Sequence, residues 1–535
     1  MAVFGIKMQT IETRKKDVVS FFLKKGLLVS NELLDYLGDE KNFSEFVKII
    51  DKKQPENIAV LNERIKSFIT RQQDLNWPEI EKLGAITERR GKEDDKIINS
   101  IPDNELDENK KTEKFKSRVK IISSYNTPPK KREANDFVAY FNSRYRSLEK
   151  LLKRRHGLQN ATSISRIFGK KNREEVSVIG MVMDKQYTKN GNCILVVEDR
   201  TGYTKALINK NRPDLFKAAK DIVLDEVVGI SGVSGNNIIF TNSLLSPDIP
   251  MAKEIRKCED EVYALFLSDV HVGSTNFLEH DFNKFLKWIN QETGTDKQKH
   301  IASKVKYIFI VGDLVDGCGV YPGQEKELQI KDIKIQYRFC AELLSNIPLN
   351  IEIIVCPGNH DAMRLAEPQP PIYEDFAEPL YKLPNITIVS NPATVNIHAS
   401  NSFPGFDVLL YHGYSFDFYF AEIESLRNNG GYDRADLLMK LLLQKRHLAP
   451  SYASTLYVPD IKSDFLVIDK VPDFFVSGHI HKAAAANYKG VTLISGSCWQ
   501  SKTTYQEKIG HNPEPSRVPI VNLQTRQLKI LKFGK

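Results

Sequence analysis

Five short apolar segments in the second half of the chain each end at an acidic, amide or imidazole side chain with a glycine close by. They are YALFL before SDVHVG (263–273), KYIFIV before GDLVDG (306–317), IEIIVC before PGNHD (351–361), DVLLY before HG (407–413) and DFFVS before GHIH (473–481). Short apolar runs that stop at turn residues predict buried strands. Polar side chains at the carboxyl ends of strands are typical of ligand sites in α/β sheets, so we expect these residues to meet.

The polar residues that end these segments are of the types that bind metal ions. The candidate ligands are Asp269, His271, Asp313, Asn359, His412, His479 and His481. Oxygen ligands mixed with imidazoles suit Mn, Fe or Zn better than Mg or Ca. Seven ligands are too many for one ion and suit a pair, which can clamp a phosphate. Asp313 is the natural carboxylate to bridge the pair, and His360 would lie beside it to protonate a leaving oxygen or stabilise charge.

Two alternative interpretations give these residues no catalytic role. Histidines satisfied within a sheet core would explain any single motif, and for His412 taken alone that interpretation is the better one. Five motifs in one order make it very weak. The second alternative is a fold that is retained as a scaffold with a catalytically inactive site, but every ligand position is intact here. The sequence therefore favours an active site.

Taken in order, the motifs D-x-H, G-D-x-x-D, G-N-H-D, H-G and G-H-x-H resemble those of the calcineurin-like metallophosphoesterase superfamily, over roughly residues 261–497. The resemblance implies one ion held by Asp269, His271, Asp313 and His481, and a second held by Asp313, Asn359, His412 and His479. It also implies that His360 is the catalytic histidine.

The same resemblance gives Asp316 and Asp361 a role outside the ligand set, where they orient the ligands. Trp499 and Lys502 follow the last motif closely in sequence, so they are candidates for contact with substrate phosphate or with a partner. A tryptophan in the core is the default interpretation of Trp499.

Length and composition limit the class of protein. A chain of 535 residues predicts two to four domains. A net charge of +8 permits nucleic acid as a partner without requiring it. The six cysteines have no C-x-x-C pairing, which is typical of free thiols in a reducing cytosol. The sequence contains no signal-peptide pattern and no apolar run of the ~20 residues that a membrane span needs, so we expect a cytoplasmic protein without membrane contact.

Changes of pattern along the chain predict a multidomain α/β protein of five regions. They are a small helical domain (1–80), a charged flexible linker (81–135), a helical segment that packs on the next domain (136–172), an OB-fold β-barrel (173–250) and a metallophosphoesterase β-sandwich with flanking helices (251–535). The OB-fold prediction depends on five short strands with a helix between the third and the fourth. Such barrels often bind single-stranded nucleic acid, but few aromatic and basic residues are present, so protein docking is slightly favoured.

The domain order and the stretches FLSDVHVGS, VGDLVDG, PGNHD, SGHIHK and SCWQSKTTYQ are similar to those of the small-subunit family of archaeal family D DNA polymerases. This resemblance implies a proofreading 3′→5′ exonuclease with two divalent ions, of which manganese is preferred and iron or zinc are alternatives. It also implies DNA as substrate, as a primer–template or a single-stranded 3′ end. The implied partners are a large catalytic polymerase subunit and, indirectly, the sliding clamp, in an archaeal cytoplasm beside the nucleoid.

Two other functions remain open from the sequence. A catalytically silent B-subunit would keep the fold as a scaffold, as eukaryotic polymerase B-subunits do with degraded sites, and the intact ligands argue against it. A free-standing metallophosphatase or cyclic-nucleotide esterase would not need the OB-fold and the linker.

Overall fold

The computed structural model describes residue 18 and residues 28–29, 31–37, 39, 60–61, 86–87, 118–167, 173–251, 253–508 and 511–534. They belong to two compact units, Met1–Lys111 and Thr112–Lys535, each of which is considered by itself. Most of the helical domain predicted for 1–80, and much of the predicted linker, lies outside the described residues. Within the described part of the chain, no helix has both the length and the apolar character that a membrane crossing needs.

The described residues of the first unit contain a helical residue, Val18, a further helix and three short strands. In chain order this helix and the strands are β1 (Leu28–Val29), α1 (Asn31–Leu37), β2 (Val60–Leu61) and β3 (Ile86–Thr87). Strand β2 pairs in parallel with β1 and antiparallel with β3. The helix carries Leu33, Leu34 and Leu37 and agrees with the predicted helical character of this region, whereas the small sheet was not expected. Strands of two residues are too short to show an alternating pattern in the sequence.

A strand in the predicted linker corrects the prediction that 81–135 is flexible throughout. Residues Lys120–Ser124 form β4, which pairs antiparallel with residues 393–396 of the C-terminal region. The next residue, Tyr125, is fully buried, and its backbone N–H donates to Ser390 Oγ at 2.7 Å. The segment KIISS has mostly exposed side chains and charged neighbours. Its order comes from backbone pairing with a distant strand, which the local sequence does not signal.

The predicted helical segment consists of α2 (Ala134–Leu152) and α3 (Ile164–Ile167). A capping box between Glu133 and Asp136 begins α2. Tyr140, Tyr145 and Leu148 are buried along one side of the helix, where they pack against the following domains.

The region 173–250 folds as the predicted OB-fold barrel. Its elements are β5 (Glu175–Tyr187), β6 (Cys193–Asp199), β7 (Gly202–Ile208), α4 (Pro213–Lys220), β8 (Val227–Ser234) and β9 (Ile238–Leu245). The strands close a barrel in the order β5-β6-β7-β9-β8. Gly191, in the predicted Asn-Gly hairpin between β5 and β6, has a φ of +79°, a conformation that favours glycine.

The rest of the chain forms two facing six-stranded sheets. The elements up to the last motif are β10 (Tyr263–Leu267), α5 (Glu279–Ile289), α6 (Asp296–Ser303), β11 (Val305–Val311), α7 (Ile333–Ser345), β12 (Glu352–Cys356), α8 (Glu374–Tyr381), β13 (Ile386–Ile388), β14 (Ala393–Ile397), β15 (Phe406–Leu410), α9 (Phe416–Glu422), α10 (Glu424–Asn428), α11 (Ala435–Lys445) and β16 (Phe474–Ser477). The remaining elements are β17 (Ala484–Tyr488), β18 (Val491–Ser495), α12 (Thr504–Lys508), β19 (Arg517–Asn522) and β20 (Leu528–Lys532). Short 3₁₀ turns lie at Gln324–Lys326, Gly431–Arg434 and Tyr452–Ser454.

The sheets have the strand orders β13-β12-β11-β10-β19-β20 and β17-β18-β16-β15-β14-β4. An apolar core that includes Phe266, Phe309 and Phe474 fills the space between them. Helices α5, α7 and α8 cover the outer face of the first sheet, and α9 and α11 cover that of the second. The predicted β-sandwich with flanking helices is confirmed.

The insertion between the fourth and fifth motifs attaches this sandwich to the OB-fold. Lys445, at the end of α11, places its Nζ 2.5 Å from Glu226 Oε2 and 2.9 Å from the carbonyl oxygen of Asp221. Both charged side chains are about 3% exposed. Because a buried charge is costly unless it is paired, this contact fixes the barrel on the helices of the insertion.

Candidate metal centre

The candidate ligands lie at the carboxyl ends of five strands, as the sequence predicts. Strands β10, β11 and β12 run parallel in the first sheet, and β15 and β16 run parallel in the second. Their carboxyl ends meet at one edge of the sandwich. Of the seven predicted ligands, Asp269, His271, Asp313, His412 and His481 are buried, and Asn359 and His479 are partly buried.

The backbone at this edge turns sharply immediately after the strands. Left-handed φ values occur at Asp269 (+52°), His271 (+54°), Asp313 (+52°), His479 (+68°) and His481 (+56°). A side chain in this region costs about 1–3 kcal/mol and persists at functional sites, where the surrounding structure enforces it. The surrounding structure therefore holds these five residues in backbone conformations that they would rarely adopt by themselves.

Two glycines, Gly312 and Gly358, make room for the donor side chains because they have no side chain of their own. A Cβ at Gly312 would lie 2.1 Å from His412 Nδ1, and one at Gly358 would lie 2.2 Å from Asp313 Oδ1. Atoms cannot approach so closely, so any side chain at either position would displace a donor. The glycines of the second and third motifs are thus required by the packing of the site.

A first group of donors converges around Asp269, His271 and His481. The distance from His271 Nε2 to His481 Nε2 is 3.2 Å, and that from His481 Nε2 to Asp269 Oδ1 is 3.3 Å. Asp313 Oδ2 lies 3.9 Å from His271 Nε2. Two imidazole nitrogens and two carboxylates that face one another in this way offer a cation three or four donors.

A second group adjoins the first and shares Asp313. His412 Nε2 lies 3.3 Å from Asp313 Oδ2 and 3.0 Å from Asn359 Oδ1. The same Asn359 oxygen lies 3.1 Å from His479 Nδ1. Since Asp313 Oδ2 faces histidines of both groups, Asp313 has the position that a bridging carboxylate would need.

The donor set fits two divalent cations. Ligand atoms of Asp269, His271 and His481 lie within 4.8 Å of one another, and so do those of Asp313, His412 and His479. Imidazoles combined with carboxylate and amide oxygens are typical of sites for Mn, Fe or Zn.

His360 lies beside both groups and lines the adjoining cavity. Its backbone N–H donates to Asp313 Oδ1 at 2.8 Å, and its Nδ1 lies 2.7 Å from the carbonyl oxygen of Asp316. Because a carbonyl only accepts, Nδ1 carries a proton and donates it, which leaves Nε2 as the atom for proton exchange. The ring packs edge-on against His271, with 4.7 Å between centroids.

The two predicted orienting acids contact ligands or the loops that carry them. Asp316 Oδ1 lies 3.0 Å from His271 Nδ1. Asp361 accepts hydrogen bonds from the backbone N–H groups of Gly358 at 2.9 Å and Leu314 at 3.3 Å, and from the Tyr337 hydroxyl at 2.9 Å. Asp361 therefore ties the loop after β12 to the loop after β11.

Several residues around the site have no signal in the sequence motifs. The amides of Gln324 and Gln500 donate to Asp316 at 3.1 and 3.0 Å. Gln506 Nε2 lies 2.9 Å from His481 Nδ1, and Asp417 Oδ2 lies 2.9 Å from His479 Nε2. These side chains come from a 3₁₀ turn, a loop and helices α9 and α12, where no repeated pattern distinguishes them from ordinary polar residues.

The charged side chains of the site shift one another's pKa values. Burial acts to raise the pKa of Asp313, but His412 and His360 hold that pKa well below its usual value. Burial acts to lower the pKa of His412, but Asp313 raises it to about 10. Burial, with the charge of Asp313, raises the pKa of Asp361 to about 7. The negative charge of the buried carboxylates therefore requires nearby positive charge. Protons on the histidines or bound divalent cations would supply it.

A cavity of about 540 Å³ opens over the donors. Tyr321, whose ring centroid lies 6.3 Å from that of His360, lines the cavity. Leu365, Tyr414, Tyr432 and His511 line it as well. A cavity of this size lies within the range that small-molecule sites occupy. The site is therefore reachable from solvent by a group larger than water.

The structure corrects one predicted contact and leaves another unsupported. Trp499 is 1% exposed and packs in the core against Phe282 and Phe285, with centroids 4.8 and 5.7 Å apart, so it is not placed to touch a substrate. Lys502 is exposed, and its Nζ donates to Asn512 Oδ1 at 3.0 Å. It lies outside the residues that line the cavity.

Comparison with known proteins gives two matching domain families and a consistent set of relatives. Residues 263–483 match the calcineurin-like phosphoesterase family, and residues 176–237 match an OB-fold nucleic acid binding domain. The chain is 41% identical over 402 residues to the DNA polymerase II small subunit of Methanothermobacter thermautotrophicus, which covers 75% of this chain and 80% of the relative.

Two further relatives carry the same name. The subunit of Thermoplasma acidophilum is 35% identical over 449 residues, which covers 82% of this chain and 86% of that protein. The subunit of Pyrococcus horikoshii is 39% identical over 402 residues, and the match spans 75% of this chain but 63% of that longer relative.

Proposed function

Since the chain belongs to the archaeal DNA polymerase II small subunits, the small subunits of family D DNA polymerases, we propose that it is the proofreading 3′→5′ exonuclease of such a polymerase. The reaction would be hydrolysis of the terminal phosphodiester of a DNA strand. Family membership in the calcineurin-like phosphoesterases supports phosphoester chemistry, while the choice of DNA 3′ ends is the proposed part.

One observation carries the proposal. All seven candidate ligands converge on two adjoining groups that share Asp313, and His360 faces the same cavity. A scaffold subunit has no need to keep five residues in left-handed backbone conformations around buried, mutually repelling acids. The completeness of the set therefore favours an active enzyme over the catalytically silent B-subunit.

In the proposed site Asp269, His271, Asp313 and His481 would hold one divalent ion, and Asp313, Asn359, His412 and His479 would hold the other. Manganese is the preferred metal, with iron or zinc as alternatives. A pair of such ions, when bound, supplies Lewis-acid polarisation of the phosphodiester and makes water a better nucleophile near neutral pH.

The chain's own residues would then act on the scissile bond. His360, oriented by the carbonyl oxygen of Asp316, would place Nε2 towards the leaving 3′-oxygen and deliver a proton to it. Asp316 and Asp361 would keep the ligands and their loops in position. The cavity beside His360 would receive the terminal nucleotide.

The proposal includes partners. A small subunit of a DNA polymerase implies a large catalytic subunit, which we propose as the main partner, with the sliding clamp reached through the complex. The OB-fold would bind either the large subunit or single-stranded DNA. The complex would work at the DNA in the cytoplasm of an archaeal cell.

A nuclease assay with manganese tests the activity, with and without the large subunit. The substrate is a primer–template with a mismatched 3′ terminus, and the variants are His360→Ala and Asn359→Ala. Both should lose terminal excision. His300→Ala, which changes a histidine that is 57% exposed on helix α6, serves as control and should excise at the unaltered rate.

If the His360 and Asn359 variants excise at the unaltered rate, the exonuclease assignment is wrong. Purified protein that binds none of the three metals and has no nuclease activity would support the scaffold alternative. Activity on small phosphate esters but not on DNA would support a free-standing phosphatase.

A further inference from the structure

Each of the four ligand histidines presents one ring nitrogen to the donor groups, and its other nitrogen contacts a partner outside them. The outer contacts are Asp316 for His271, the carbonyl oxygen of Val311 for His412, Gln506 for His481 and Asp417 for His479. Two of the four partners are carboxylates, and they contact histidines of different donor groups. Asp316 would support an ion on the side of His271, and Asp417 would support one on the side of His479.

Asp417 reaches His479 from helix α9, in the insertion between the fourth and fifth motifs. Its Oδ2 lies 2.9 Å from His479 Nε2. On the same helix Phe416, Tyr419 and Phe420 are buried in the core beneath the second sheet, which fixes the helix and the carboxylate on it. Asp417 lines the cavity, and its side chain is 51% exposed.

We infer that Asp417 is a positioning residue that sets the orientation and the tautomer of His479, and with them the affinity of one of the two proposed metal positions. With Nε2–H donated to the carboxylate, Nδ1 keeps its lone pair towards Asn359 and the second donor group. This inference rests on the proposed two-ion site. It assigns a function to the insertion, because the carboxylate comes from that segment and from none of the five motifs.

A purely structural role would not explain this contact. A hydrogen bond to a carboxylate that is half exposed contributes little to folding stability. A carboxylate behind a metal-binding imidazole, in contrast, raises the basicity of the ligand and fixes its ring, and its loss typically costs 10–100-fold in metal affinity. The two roles therefore predict different results for a variant at this position.

The test is a titration of the metal-free full-length protein with Mn²⁺, followed by calorimetry, on Asp417→Ala and Asp417→Asn. For Asp417→Ala one of the two Mn²⁺ equivalents should bind about 10–100-fold more weakly, and the other should stay within about twofold. Asp417→Asn keeps an acceptor oxygen but loses the charge, so its affinity should be intermediate. The thermal midpoint of the metal-free variants should equal that of the unaltered protein.

Glu422→Gln provides the matched control, since Glu422 is an exposed carboxylate at the end of the same helix. It should bind both equivalents as the unaltered protein does. If the unaltered protein binds two equivalents and the Asp417 variants do so with the same affinities, the inference about Asp417 is overturned while the proposed function stands. Equal weakening of both equivalents together with a lower thermal midpoint would also overturn it. Failure of the unaltered protein to bind two equivalents would overturn the proposed two-ion site itself.

Discussion

Asp313 Oδ2 lies 3.3 Å from His412 Nε2, and this contact joins the two sheets of the sandwich at the centre of the donor groups. Asp313 follows β11 of the first sheet, and His412 follows β15 of the second. Both side chains are almost completely buried. The two sheets therefore meet at a carboxylate whose charge needs a cationic neighbour.

Replacement of Asp313 by Asn should remove both proposed ions. Loss of an outer partner costs about 10–100-fold in metal affinity, so loss of a ligand shared by both ions should cost more than about 100-fold. Metal content after dialysis, measured by mass spectrometry, should fall from two equivalents towards zero, and excision of mismatched termini should fall with it.

Glu292→Gln, which changes an exposed carboxylate beyond helix α5, should retain both equivalents. Retention of one tightly bound equivalent in Asp313→Asn would show that Asp313 does not bridge two ions.

Replacement of His360 by Ala should separate proton transfer from metal binding. His360 contacts Asp313 through its backbone N–H, which alanine keeps, so both equivalents should remain bound. Loss of a general acid should lower kcat on a DNA terminus by about 10²–10⁴-fold. On bis(p-nitrophenyl) phosphate, whose leaving group needs no proton, the deficit should be at least about 10-fold smaller.

An equal deficit on both substrates would contradict a proton-donating role for His360. It would indicate instead that the histidine stabilises charge on the phosphate.

The metal centre could be predicted from the sequence because its main parts are local. Each motif combines an apolar strand with the ligands that follow it within a few residues, and the carboxyl ends of parallel strands meet by geometry. The same is true of the OB-fold, whose strands follow one another along the chain.

The rest of the site depends on contacts between distant segments. Asp417 and Gln506 look like ordinary polar residues until helices α9 and α12 are placed beside the histidines. Closeness in sequence to the last motif does not bring Trp499 to the site. Trp499 enters the core, whereas its neighbour Gln500 reaches Asp316.

The free energy of unfolding should decrease as pH is lowered because of His447. This buried histidine belongs to the insertion and to none of the ligand motifs. Its Nε2 lies 2.8 Å from Asp464, which Arg144 also contacts at 2.7 Å. Burial, with the charge of Arg144, lowers the pKa of His447 to about 4, against about 6.5 in an unfolded chain. Between these pH values the unfolded chain binds a proton at this histidine and the folded protein does not. The contribution of His447 to the free energy of unfolding is therefore lost as pH falls from about 6.5 to 4.

The test compares the free energy of unfolding in urea for the unaltered protein and His447→Asn at several pH values. At pH 7 the variant should be less stable by about 1–3 kcal/mol, because the buried Asp464 loses a hydrogen bond. Towards pH 4 the gap should shrink by up to about 3 kcal/mol. His300→Asn, an exposed histidine change, should give a gap that does not vary with pH. A constant gap for His447→Asn would mean that folding does not lower the pKa of His447.

Two shortened chains should show what strand β4 contributes to the sandwich. A chain that begins at residue 118 keeps β4, Tyr125 and the 2.7 Å hydrogen bond from the Arg118 backbone N–H to Glu352 Oε1. A chain that begins at residue 127 loses them and leaves β14 as an open edge. The first should unfold in urea at the midpoint of the second unit in the full-length protein. The second should lose about 3 kcal/mol or more, because a buried aromatic side chain and a strand pairing are both removed.

Light scattering provides the second measurement, since an uncovered edge strand is a template for association between chains. The chain from residue 127 should aggregate at concentrations at which the chain from residue 118 stays monodisperse. Ile122→Thr is the matched control, because Ile122 is 41% exposed and the substitution leaves the backbone of β4 free to pair. It should change neither stability nor association. Equal stability of the two shortened chains would mean that β14 does not need β4, and that the segment 118–126 is a linker after all.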